Sequence, residues 1–230
     1  ANYDTSETVF CSVGNIPNEK VIRIFMKYFG NIPRKKIIKH RNKKHIYKPS
    51  TLTKKKDTNQ IHCIIGNIAY GYKDKRRTGM FLVNNILGGQ GLNSSLNLSL
   101  REKKGLAYTV ESGYNSYRDS GIFSIYFGTD NHNLEKSIAV INSELTRLRK
   151  SKLGTLQLHS AKKQIKGYLA RGYENHESLM LSLGKNLLVF NKIDTLGDIC
   201  AKIDKITPSD VLEIANEIFN PDTLSTLIYL

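Results

Sequence analysis

The chain is predicted to fold as an α+β domain, an antiparallel sheet with several long helices packed on it. Three observations predict this. Short segments rich in β-branched and aromatic residues, such as Gln60-Ile-His-Cys-Ile-Ile and Gly121-Ile-Phe-Ser-Ile-Tyr-Phe-Gly128, have strand chemistry. Leu134, Ile138, Ile141, Leu145 and Leu148 recur at alternating spacings of four and three, the stripe of a long helix. The segment Asn115-Ser-Tyr-Arg-Asp-Ser-Gly121 joins two strand-like runs as a hairpin turn would.

Taken in order, Phe10-Cys-Ser-Val13 reads as a strand. Asn18 to Phe29 reads as an amphipathic helix with Val21, Ile24, Phe25 and Tyr28 on one face, ended by Gly30 and Pro33. One strand and one helix cannot enclose a core, so this pair is expected to complete some other body. Residues 31–53 read as a basic linker. Between Arg34 and Lys56 stand 11 Lys or Arg and no acidic residue. Removing those 11 from the 35 basic residues leaves 24 against 20 acidic ones, so the net charge drops from +15 to +4. The excess is therefore a property of the connector and not of a binding face. Tyr47 is the only aromatic there and no nucleic-acid motif accompanies it, which speaks against a specific nucleic-acid partner.

From residue 54 to residue 230 the pattern is that of one sizeable domain. Lys73 to Leu87 carries Met80, Val83, Asn84 and Leu87 along one helical stripe, and Gly88-Gly-Gln-Gly91 breaks it. No Lys-Ser/Thr follows these glycines and no strand directly precedes them, so they read as a turn and not a phosphate cradle. Further helices are expected over 155–171, 175–190 and 194–204. Thr207-Pro-Ser-Asp210 opens the last one with a capping threonine, a proline in the first turn and an acidic third residue. Its expected buried face is Val211, Leu212, Ala215, Ile218 and Phe219, and Thr223 to Leu230 closes the domain as a strand. The cysteines Cys11, Cys63 and Cys200 are odd in number and widely spaced, which favours buried thiols and a reducing, cytoplasmic compartment. No apolar run is long enough to cross a bilayer, so no membrane partner is expected.

The segment with most chemistry is Ser94 to Val110. It places Arg101 at the end of a short helix, Gly105 where a left-handed terminating residue is wanted, and Tyr108 at the start of the next strand. A guanidinium and a phenol at one end of a sheet are two strong donors suited to an oxygen that becomes negative during a reaction. The plainer reading stays open beside it. Arginine in a last helical turn is favoured by the helix dipole, and Tyr108 serves equally as a half-buried strand aromatic.

Several strings together carry a resemblance. They are Val13-Gly-Asn-Ile-Pro, Lys27-Tyr-Phe-Gly-Asn-Ile-Pro, Leu87-Gly-Gly-Gln-Gly-Leu-Asn-Ser-Ser-Leu, Leu100-Arg-Glu-Lys-Lys-Gly-Leu-Ala-Tyr-Thr-Val, Tyr117-Arg-Asp-Ser-Gly-Ile-Phe-Ser-Ile, Ala161-Lys-Lys-Gln-Ile-Lys-Gly and Ile206-Thr-Pro-Ser-Asp-Val. In order and spacing the chain resembles the C-terminal domain of the insulinase-like zinc metallopeptidases, the family of pitrilysin and the mitochondrial processing peptidase. The resemblance implies one half of a clamshell in which Arg101 and Tyr108 hold the substrate carbonyl and its tetrahedral intermediate. It also implies that residues 1–30 are the last strand and helix of a preceding, metal-bearing domain.

The family's inverted zinc motif, His-x-x-Glu-His, is missing. The nearest string, His132-Asn-Leu-Glu135-Lys136, has lysine in place of the second histidine, and an ammonium has no lone pair for a metal. His40 with His45, and His176 beside Glu177, lack a third ligand at sensible spacing. All six histidines read as surface or loop residues, and no metal or other cofactor site is expected in this chain. Zinc is implied instead in a missing half or in a partner subunit of the same family, with a peptide as substrate and a dimer as a possible assembly. The fragment alone is expected to be inactive. The alternative is a non-catalytic homologue serving as a structural or binding scaffold, a role also known within the family.

Overall fold

A computed structural model describes residues 5–33, 46–56, 58–89 and 91–230. Its contacts divide the chain into two compact units: Ala1–His45 with Lys166–Ala201, and Ile46–Ile165 with Lys202–Leu230. Most of the basic linker lies outside the described residues, as do His40 and His45.

The larger unit is built on a five-stranded sheet in the order β1-β5-β2-β4-β3, formed by β1 (Thr51–Lys54), β2 (Ile61–Ala69), β3 (Thr109–Ser116), β4 (Gly121–Thr129) and β5 (Ser225–Tyr229). Every pairing is antiparallel except β1 with β5, which is parallel. The linker reading needs correction at this edge. Thr51 to Lys54 form a strand in register with Thr226 to Tyr229. Two threonines and a leucine suit an extended backbone, and β5 offers a free edge that outweighs the basic run around them.

Alternation along the strands decides which side packs. On β4, Phe123, Ile125 and Phe127 are fully buried, whereas Ile122 points outward and is half exposed. Ile61, Cys63 and Ile65 of β2 join them beneath α2 (Arg77–Gly88), α3 (Leu134–Lys150) and α7 (Pro208–Ile218). The rings of Phe123 and Phe219 sit 4.9 Å apart at 47°, tying β4 to the end of α7. The capping box at the head of α7 forms as the sequence predicts. Thr207 N–H donates to Asp210 Oδ2 at 2.7 Å and Asp210 N–H donates to Thr207 Oγ1 at 3.2 Å. Its buried face is Val211, Ile214, Ala215 and Ile218, followed by Phe219; Ile214 takes the place expected for Leu212, which is only half buried. Positions i, i+3, i+4 and i+7 share one helix face, and Leu212 lies off it.

Close approach of α2 to the sheet depends on Gly88. A Cβ there would lie 2.7 Å from Ser112 N, inside contact distance. At the same crossing Asn84 Nδ2 donates to Ser112 O at 3.3 Å and Ser112 Oγ donates to Asn84 O at 3.1 Å. These bonds satisfy Asn84 Nδ2 and Ser112 Oγ in the interior of the helix–sheet layer, while the buried Asn84 Oδ1 finds no partner among the described residues.

The smaller unit contains α1 (Asn18–Phe29), α5 (His176–Phe190), the C-terminal part of α4 (Thr155–Glu174) and the start of α6 (Leu196–Asp204). Asn175 caps α5 by accepting Ser178 N–H at 2.8 Å, and Asn191 ends it in the left-handed region with φ of 49°. α1 has the predicted bounds, but the strand expected at Phe10-Cys-Ser-Val13 does not form. A strand needs a neighbour for its amide groups, and none of the described residues supplies one there. Phe10 instead packs its ring 4.9 Å from that of Phe25. Neither α1 nor α5 buries a single residue, and Ile22, Met26 and Tyr28 are more than half exposed.

Candidate functional site

Arg101 and Tyr108 stand on either side of a backbone closure that explains their exposure. Asn97–Glu102 is a π-helical turn, with Lys103 N–H donating to Leu98 O at 3.0 Å. Gly105 N–H then donates to Arg101 O at 3.0 Å and Leu106 N–H to Leu100 O at 2.8 Å. These are the two bonds of a Schellman closure, each reaching one residue further, as the wider π-turn requires. Gly105 takes φ of +57°, which completes the reversal without a side-chain penalty. Leu100 is fully buried and Ala107 nearly so, pinning both arms of the turn to the core.

The flanking side chains stay in solvent. Arg101 is exposed at the last position but one of the turn, and none of the described residues pairs with its guanidinium. Tyr108 is 57% exposed, with its N–H on Gly128 O at 3.0 Å, just ahead of the β3–β4 ladder. Its hydroxyl donates to Asp130 Oδ2 at 2.9 Å, and this carboxylate acceptor raises the phenol pKa above its ordinary value. The phenol is therefore neutral through the physiological range and remains a donor, but its proton is directed at Asp130. Sequence reasoning missed Asp130, because the contact links residues 22 positions apart; only the pairing of β3 with β4 brings them together.

The histidines fall into place one by one. His132 is exposed in the short turn Asn131–Asn133, with Glu135 and Lys136 opening α3 beyond it. His159 and His176 are exposed on helices. His62 lies within β2, in the strand expected from the sequence, on the outward sheet face, where Nδ1 meets Tyr126 Oη at 2.8 Å. Among the described residues no three His, Cys, Asp or Glu side chains gather as a metal would require. Zinc does not fit the side chains seen here. Cys11, Cys63 and Cys200 are free thiols, and burial pushes the Cys63 thiol up to about 12, leaving it neutral and inert. No described helix is long and apolar enough to cross a membrane.

A family model described as the peptidase M16 inactive domain matches residues 1–165. This chain belongs to the M16 peptidase family. Its relatives include the uncharacterized zinc protease YmxG of Bacillus subtilis, 32% identical over 227 residues, which span 99% of this chain and 55% of that protein. The uncharacterized zinc protease SCO5738 of Streptomyces coelicolor is 28% identical over 94% of this chain and 49% of its own length. The M16 inactive domain from Pseudomonas fluorescens shares the fold with a TM-score of 0.82 at 20% identity, over 94% of this chain and 52% of that one. The insulinase-like resemblance and the α+β fold are thus borne out, and the chain is an inactive domain of a zinc protease family. This M16 domain spans about half the length of the curated relatives it matches.

Proposed function

We propose that the chain is the non-zinc half of an M16 zinc endopeptidase, and that Arg101 and Tyr108 hydrogen-bond the substrate backbone and the tetrahedral oxyanion. The observation that carries this reading is the closure at Gly105. It presents a guanidinium engaged by none of the described residues and an exposed neutral phenol from one short, well-anchored segment. Such donors stabilise charge that develops on an oxygen, and the loss of one costs about 3 kcal/mol of transition-state stabilisation. The zinc and the general base belong to the other half, in the same polypeptide or in a partner subunit, since the side chains described here do not suit the metal.

Residues 1–30 are read as part of that other half. The support is α1, which displays Ile22, Met26 and Phe29 along one face without burying any of its own side chains. A soluble body rarely leaves so wide an apolar helix face uncovered.

The test is kinetic and uses the complete two-half protein. Arg101→Ala and Tyr108→Phe are expected to lower kcat by about a hundredfold each while the thermal unfolding midpoint stays within a degree or two of wild type. Wild-type turnover in both variants ends the assignment. The isolated chain is expected to cleave no peptide, with or without added zinc.

One observation favours the scaffold alternative, namely that the Tyr108 hydroxyl already donates its hydrogen bond to Asp130. Under that reading Tyr108→Phe lowers stability and leaves turnover alone.

A further inference from the structure

Behind the closure, on the side of α3, lies an open groove of about 510 Å³. Its basic wall is Lys103 and Lys104 from the end of the π-turn, faced by Lys136 from the first turn of α3. Its floor is aliphatic, made by Leu106, Ala139 and Val140. One carboxylate borders it, Glu144, and both its oxygens are spoken for. Ser99 Oγ donates to Oε1 at 2.7 Å, and Arg147 holds Oε2 at 2.9 Å. Arg147 also reaches Ser95 Oγ at 3.0 Å, so Glu144 is part of a brace between the π-turn and α3 and is not a counter-ion for the lysines. The groove thus carries a local charge of three ammonium groups over an apolar strip.

We propose that this groove binds an acidic, amphipathic polypeptide segment, whose carboxylates meet Lys103, Lys104 and Lys136 and whose aliphatic side chains lie on Leu106, Ala139 and Val140. Charge complementarity selects the sign of the occupant, and the floor selects its kind. No aromatic ring lines the groove, so the stacking on which single-stranded nucleic acid relies is absent, whereas aliphatic contact suits leucine-like side chains. The site stands apart from the Arg101–Tyr108 function and holds whether or not the chain takes part in catalysis.

The test is fluorescence anisotropy on the purified chain with a short labelled peptide of alternating glutamate and leucine. Saturable binding that weakens with added salt is expected. Lys103→Glu combined with Lys136→Glu should raise Kd by about tenfold or more. Lys152→Glu combined with Lys205→Glu changes net charge equally at exposed positions off the groove, and should leave Kd within about twofold. A peptide with serine for leucine should bind more weakly, reporting the apolar floor. Equal losses in the two double variants would reduce the effect to net charge and overturn the proposal. So would unsaturable binding by the wild type, indifference to the leucines, or an oligonucleotide binding the groove more tightly than the acidic peptide.

Discussion

At the residue scale the decisive contact is the phenol of Tyr108 on the carboxylate of Asp130. It fixes where the ring stands and keeps the proton on its oxygen. Asp130→Asn is expected to bring the Tyr108 phenol pKa down toward its ordinary value, read by ultraviolet titration of the tyrosinate with Tyr108→Phe as the subtraction control. No change would mean that the bond does not persist in solution. Cys63 gives a second prediction with a definite sign. Its folded pKa of about 12 lies above the unfolded value, so the folded state retains a proton that the unfolded state releases. The stabilisation is complete below the unfolded thiol pKa and is lost as pH rises through the folded one. Unfolding free energy should fall by up to about 1.4 kcal/mol per pH unit in that window. Denaturant titrations of Cys63→Ala at successive alkaline pH values should show a shallower fall than wild type.

At the element scale three substitutions separate local geometry from function. Gly105→Ala places a Cβ in open space but at φ of +57°, so only backbone strain of about 1–2 kcal/mol opposes it. Its effect on turnover in the complete protein should exceed its small effect on the unfolding midpoint, because the closure sets both donors. Thr207→Ala removes the cap of α7 and should cost about 1 kcal/mol by chemical denaturation, with activity unchanged. Gly88→Ala drives a Cβ against the Ser112 amide and should cost about 1–3 kcal/mol, seen as a lower thermal midpoint. Elements with strong periodicity were legible in advance. α1 and the cap of α7 appear where the spacing puts them, because capping and amphipathicity act over a single helical turn. Phe10 to Val13 was not legible, since strand propensity counts only beside a pairing partner. β1 escaped notice for the converse reason: its partner, β5, lies at the far end of the chain.

At the scale of the whole molecule, the question is what covers α1. If residues 1–30 belong with the metal-bearing half, Ile22→Asp with Met26→Asp should weaken association of the two halves in analytical ultracentrifugation. The melting transition of the sheet unit should stay where it is. Unchanged association would assign the exposed face of α1 to something else.

The amino-acid sequence alone determined the α+β class, the long helices, the family, and Arg101 and Tyr108 as the residues to watch. Those features follow from periodicity, turn chemistry and ordered local strings, all of which act within a few residues. Only the tertiary structure decided that β5 lies between β1 and β2, that Asp130 accepts the Tyr108 hydrogen bond, and that three lysines line a groove whose single carboxylate is already paired. Each of these joins residues distant along the chain, and sheet pairing and helix packing alone set the distances over which hydrogen bonds and charges act.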